Sequence, residues 1–435
     1  MPLWVSANLK WFFKLAEYIL AFWWGVVQTV VMYLERTLSP YIAKASKFFP
    51  VVLITGPRQV GKTTIFESAK SEKRTYITLD DPMLRTLAQN DPQLFLSTYK
   101  APILIDEVQY APQLFSYIKM IVDKEKKPGA FWLTGSQVFT LMKNVTESLA
   151  GRVGILELQG LSQSEKAKFP NRKPFLPTTG LTSEIPPFDL NSLYDTIFKG
   201  SYPAVIANKD AQWQYFYRSY VSTYIERDVK QILNITQEGN FVKFLSVAAA
   251  RTGQLLNYSD MARDCDVSVA TIKSWISVLN TSGIIYLLYP YSNNITKRAI
   301  KTPKLYFYDT GLVCYLCRIM DSVSARDGIM SGALMETYAI SEIIKSYIHN
   351  GLSPNMFFYR DKDGKEIDLI LEENMTLYPI EIKRTATPTS NDMKNFDILE
   401  SIKGNKQIGE WAIICLHPQL VPMNRNVAAI PVSYI

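Results

Sequence analysis

Apolar residues in this chain gather into short β-branched runs set between glycine turns and stretches of helical spacing. Pro50 to Thr55, PVVLIT, is the first such run; it enters GPRQVGKTT directly and is followed by a helical stretch from Thr64 to Lys70. Ile103 to Gln109, ILIDEVQ, is a second apolar strand and ends in two carboxylates. A third, Ala130 to Thr134, stops at Gly135, Ser136 and Gln137. Prolines then crowd at Pro170, Pro174, Pro177, Pro186 and Pro187, a pattern that predicts a linker or long loop and a boundary nearby.

Beyond that boundary, helical spacing returns in YFYRSYVSTYIERDVKQIL, within Asn191 to Gln237. Phe241 to Tyr291 predicts an apolar helix to Arg251, a short helix from Ser259, a turn through Asp266 and Val267, and a helix opened by Ser268. Val269, Ile272, Ile276 and Leu279 form one stripe on that last helix, and Gly283 stops it before the strand IIYLLYPY. The pattern is that of a winged helix-turn-helix. Its exposed third-helix positions, Thr271, Lys273, Ser274 and Ser277, hold one basic residue, so contact with DNA and plain packing both stay open. Lys297, Arg298, Lys301 and Lys304 follow and are candidates either for phosphates or for protein packing. Gly332 to His349 reads as an amphipathic helix, and NMFFYRDKDGKEIDLILEENMTLYPIEIKRT as three strands joined by tight turns.

A length of 435 residues allows about three folded units. With 47% apolar and 20% charged residues the chain has the material for packed cores, which excludes disorder throughout. The net charge of +7 suits phosphate-bearing partners without proving one. Cys265, Cys314, Cys317 and Cys415 are too few for a disulfide framework, which makes a reducing cytoplasm the expected location. With only His349 and His417, acid, base or metal chemistry falls to carboxylates. The uncharged segment Tyr18 to Leu34 would be roughly 25 Å long as a helix, just short of a bilayer core. It is a membrane anchor, a buried or partner-facing helix, or sequence ahead of a start at Met32 rather than Met1.

Gly56 to Thr63 fits G-x-x-x-x-G-K-[ST] at every fixed position. Between a strand and a helix, such a loop turns backbone N–H groups onto phosphate oxygens. The nucleotide-binding residues are therefore Gly56, Pro57, Arg58, Gln59, Val60, Gly61, Lys62, Thr63 and Thr64, with ATP and Mg²⁺ as the expected ligands. Lys62 would reach the terminal phosphates and Thr63 the Mg²⁺. Asp106 would complete the Mg²⁺ shell, Glu107 would polarise the attacking water, and Ser136 is placed as a sensor of the terminal phosphate.

These residues resemble the AAA-plus superfamily, and within it the prokaryotic ATPases that carry a C-terminal domain of unassigned function. The resemblance covers FFPVVLITGPRQVGKTT, TLDDPMLRTLAQNDPQLFL, the ILIDE strand, LTGSQ, ESLAGRV, LELQGLSQSE and YIERDV. It implies Arg152 as an arginine finger supplied to a neighbour, hence a homo-oligomer, and it draws attention to Glu226, Arg227 and Asp228. Near the C-terminus, Glu336, Asp368 and Glu381-x-Lys383 resemble the PD-(D/E)xK nuclease core, in which the carboxylates bind Mg²⁺ and the lysine positions water or stabilises developing negative charge. Glu381 and Lys383 would act directly on DNA or RNA; an inactive nuclease-like fold and ordinary charged strands are the alternatives.

The expected class is therefore α/β. It comprises an extension and lead-in helix (1–47), a parallel-sheet P-loop core (48–170), a Pro-rich linker (171–190), a helical lid (191–240), a winged helix (241–300) and a restriction-endonuclease-like α/β unit (301–435).

Overall fold

The computed structural model describes residues 33–70, 73–136, 141, 145, 147–170, 172–178, 180–208, 212–225, 238–292 and 302–435. The apolar segment 18–34, save its last two residues, lies outside them, as do Gln137, Glu226, Arg227, Asp228, Lys297, Arg298 and Lys301. Among the described residues no helix is long and apolar enough to cross a membrane.

Strands β1 (Val51–Thr55), β2 (Thr75–Thr78), β3 (Ile103–Asp106), β4 (Phe131–Thr134) and β5 (Val153–Glu157) form a parallel sheet in the order β2-β3-β4-β1-β5. β1, β3 and β4 are buried along their whole length, which is why they read as continuous apolar runs rather than as alternating ones. Val52 and Ile54 face a core shared with helices α1 (Ser39–Phe48) and α2 (Lys62–Ala69), where Phe66 stacks on Trp132 at 4.7 Å. Val51 and Leu53 face the opposite core, filled by Leu114, Phe115 and Ile118 of α3 (Leu114–Glu125). Both faces of the sheet are thus sealed, and only its strand ends stay open to a ligand.

Three helices follow: α4 (Glu238–Ala250), α5 (Tyr258–Cys265) and α6 (Val269–Thr281). Asn257 caps α5 through the N–H groups of Ser259 and Asp260, and Ser268 caps α6 through that of Thr271. Asp266 (φ 55°) and Gly283 (φ 70°) take left-handed conformations at the two turns. Ile272, Ile276 and Leu279 are buried as their spacing implies, but Val269 is 39% exposed. It opens the first turn of α6, where the helix has not yet met its neighbours, and Trp275 takes its place in the core beside Phe241 and Phe244.

β6 (Gln254–Leu255), β7 (Ile285–Pro290) and β8 (Lys304–Phe307) pair antiparallel in the order β6-β8-β7. β7 also pairs in parallel with β9 (Met356–Arg360), Tyr289 lying opposite Phe357. One mixed sheet therefore runs on through β10 (Glu366–Glu373), β11 (Thr376–Ile382), β12 (Gln407–Ile408), β13 (Trp411–Cys415), β14 (Val421–Pro422) and β15 (Val427–Pro431). The helix α7 (Ser331–Ile348) is buried almost all round, Glu342 and Lys345 included, rather than amphipathic. The proline-rich stretch covers it: the Phe175 N–H donates to Ser346 Oγ at 3.0 Å and the Tyr347 hydroxyl to the Phe175 carbonyl at 3.0 Å. Its irregular backbone meets its hydrogen-bonding needs on a helix instead of in solvent.

Candidate nucleotide site

β1 delivers the chain to the loop at the carboxyl end of the sheet. Gly56 adopts φ 137°, and a Cβ there would lie 2.0 Å from the Leu158 carbonyl oxygen, so only glycine lets β1 and the segment after β5 approach this closely. Gln59 (φ 62°) and Gly61 (φ 93°) complete the bend, and α2 starts at Lys62. Lys62 is 7% exposed, and its ammonium donates to the carbonyls of Gly56 and Pro57 at 2.9 and 2.6 Å. The Thr63 hydroxyl donates to Asp106 at 3.0 Å.

Asp106 closes β3 and gathers three hydroxyls, those of Thr63, Thr134 and Tyr76, the last at 3.2 Å. Burial first, and the charge of Asp106 second, push the Tyr76 phenol up to about 12. Glu107 follows in a left-handed conformation, φ 54°, which turns its side chain away from the strand direction. Its carboxylate accepts from the Ser136 hydroxyl at 2.8 Å and from the Gln109 amide. Ser136 thus stands on the carboxylate named for the attacking water. Asp80, across from both acids, is raised by burial and then by Glu107 and Asp106.

Beside the loop opens a cavity of about 480 Å³ with largely apolar walls from Tyr33, Leu34, Val60, Ile65, Pro203 and Ala204; Gln59 and Thr64 also line it. The oxygen donors of Thr63 and Asp106 fit the requirement of a hard cation such as Mg²⁺. Arg152 lies elsewhere. It precedes β5, whose Val153 pairs with Val51, so it stands where the strands begin, on the opposite edge from its own chain's loop. There it pairs with Asp123 of α3.

A second cluster forms where β8, α7, β10 and β11 meet. Lys383 lies 2.5 Å from Glu381 and 3.4 Å from Asp368, which also accepts from the Ile382 N–H at 2.9 Å. The structure therefore brings Asp368, Glu381 and Lys383 together. Glu336 is drawn to other partners: Lys304 at 3.3 Å and the Tyr306 hydroxyl at 2.5 Å. Lys304 also holds Glu366 at 2.5 Å and is 4% exposed, so packing, not phosphate contact, is what its position serves. Burial and then the Asp368 charge raise the Glu381 carboxyl; in Lys383 burial acts to lower the ammonium, but Asp368 and then Glu381 outweigh it and the net shift is upward. Among the described residues no group of three or more His, Cys, Asp or Glu side chains is set to hold a metal ion.

Sequence reasoning missed the set around Arg36, Glu165 and His349, which is wholly buried and reaches the phosphate loop. Its one local signal was Ser162-x-x-Glu165, a capping box at a helix start.

A parallel sheet carrying a strand-loop-helix phosphate loop after β1 and an acid at the end of β3, with β4 between the two strands, has the architecture of a P-loop NTPase core of the AAA type. An AAA-domain family model matches residues 49–167, and two domains of unknown function, DUF8612 and DUF4143, match 190–323 and 331–435. Two uncharacterized proteins, Mb2031c of Mycobacterium bovis and Rv2008c of Mycobacterium tuberculosis, are each 30% identical over 404 residues, 92% of this chain and 84% of theirs. The chain belongs to the family of these two mycobacterial proteins. Among solved structures, the Walker-type ATPase PABY2304 of Pyrococcus abyssi aligns with 65% of this chain and 96% of its own, at 14% identity and a TM-score of 0.39.

Proposed function

We propose that the protein binds ATP with Mg²⁺ at the Gly56–Thr64 loop, hydrolyses it, and couples the cycle to its winged-helix-like and C-terminal units. The observation that carries this reading is the contact of Thr63 with Asp106 at 3.0 Å, directly after a lysine, Lys62, folded along the loop. Thr63 and Asp106 would hold Mg²⁺, which supplies charge neutralisation on the phosphate oxygens. Lys62 exchanges its two carbonyl partners for phosphate oxygens, and the loop amides bind the rest of the chain of phosphates. Glu107, oriented by Ser136 and Gln109, takes the proton of the attacking water. The apolar cavity beside Gln59 and Val60 is the place for the base. Arg152 would serve only a neighbouring copy's phosphates, which makes the active species a homo-oligomer. Phosphate release by the Lys62→Ala variant tests the assignment: turnover should vanish, and unchanged turnover refutes it.

The convergence of Asp368, Glu381 and Lys383 favours a second reading, in which the C-terminal unit is a PD-(D/E)xK-like centre acting on DNA under ATPase control. In that reading Lys383 stabilises negative charge on a phosphodiester. Incubation with duplex and single-stranded DNA and Mg²⁺, beside Lys383→Ala, decides it. Equal products from both proteins would leave a nucleotide-gated protein-binding switch with an inert nuclease-like unit.

A further inference from the structure

The phosphate loop is gripped by an arginine that also lines the cavity beside it. Arg36, 4% exposed and outside the G-x-x-x-x-G-K-T pattern, donates from one guanidinium nitrogen to the Val60 carbonyl at 2.7 Å and from another to the Gln159 carbonyl at 2.7 Å. The Val60 carbonyl and the Gly61 N–H belong to one planar trans peptide and point in opposite directions. Holding that oxygen outward therefore aims the Gly61 N–H into the loop, at the tightest part of the bend, where φ is 93°.

The third guanidinium nitrogen, Nε, lies 3.1 Å from Glu165 Oε2, and the Glu165 side chain is fully buried. Glu165 accepts from the N–H groups of Thr37 and Ser162, both at 2.9 Å, which hold it between the lead-in segment and the helix start at Gln163. His349, which directly follows α7, also faces this carboxylate; its Nδ1 lies 3.3 Å from Glu165 Oε1. His349 Nε2 accepts from the Gln159 N–H at 3.3 Å, so Gln159 is held by Arg36 through its carbonyl and by His349 through its N–H. A buried charge needs its partner in place, and each link in this series neutralises or orients the next.

We propose that Arg36 positions the phosphate loop and that His349, acting through Glu165, sets Arg36, so that the C-terminal unit regulates nucleotide affinity through the loop's backbone. The proposal rests on the nucleotide reading of the Gly56–Thr64 loop and adds a regulator to it.

The test is ATP binding and turnover by the full chain carrying Arg36→Lys, His349→Gln, both changes, or Lys62→Ala. Lysine keeps the charge beside Glu165 but has one ammonium where the guanidinium forks to two carbonyls. A lost charge-assisted hydrogen bond corresponds to roughly a tenfold to hundredfold change. Arg36→Lys should therefore weaken ATP by about tenfold or more, raising KM more than it lowers kcat. His349→Gln should weaken it by about threefold to tenfold, and the double variant should be no weaker than Arg36→Lys alone, because both act through one series of contacts. Unchanged affinity in folded variants, or effects that multiply in the double variant, overturns the proposal. If Arg36→Lys does not fold, His349→Gln decides alone, and wild-type affinity there overturns it. Wild-type affinity in Lys62→Ala would instead remove the nucleotide reading beneath it.

Discussion

Glu107 and Glu381 are both carboxylates at strand ends, yet their surroundings assign them different chemistry. Glu107 is held by a hydroxyl and an amide and has no lysine among those partners, an arrangement suited to receiving a proton. Glu107→Gln preserves the shape, so ATP affinity should stay within about threefold of wild type while turnover falls about 10²- to 10⁴-fold. Nucleotide titration and phosphate release measure the two separately. Glu381 is raised to about 9 by burial first and the Asp368 charge second, against the pull of Lys383. An acid raised above its ordinary 4.5 contributes stability that is complete below that value and is lost as pH rises toward 9. Glu381→Gln should therefore flatten the dependence of Tm on pH between about 5 and 9. Thermal unfolding at the two ends of that range checks this, and equal slopes in both proteins would contradict it.

Element by element, packing divides what periodicity groups together. On α6, Ile272 is fully buried and Val269 is not. Ile272→Ala should cost about 2–5 kcal/mol of stability, and Val269→Ala about 0.5 kcal/mol or less. Chemical denaturation of the two variants distinguishes them. The sequence was most legible where one short segment sets both backbone and chemistry: the phosphate loop with its flanking strand and helix, the ILIDE strand, and the caps Ser268 and Gly283. It was least legible where partners lie far apart in the chain. Nothing local tells that Lys304 would sit between Glu336 and Glu366, or that α7 would lose its solvent face to residues 172–178. The parallel pairing of β7 with β9, which merges two expected units into one sheet, is likewise a long-range event that no run of residues encodes.

At the scale of the whole molecule, the nucleotide loop is the point on which the units converge. The lead-in helix α1 reaches the far side through the Tyr41 hydroxyl, which donates to Asn350 Oδ1 at 2.8 Å. The turn after α6 presses on the loop itself: a Cβ on Gly283 would lie 2.8 Å from the Gln159 amide and 3.2 Å from Pro57. Arg36, the segment after β5 and the turn after α6 all meet the loop, so it cannot change shape without moving them, and the proposed coupling would act through these contacts. All of this depends on ATP being the ligand. Calorimetric titration of the folded full chain with ATP and Mg²⁺, beside Lys62→Ala, is the most direct test. Saturable heat fitting one site per chain, lost in the variant, is the predicted result; no heat from wild type, or equal heat from both, would contradict it.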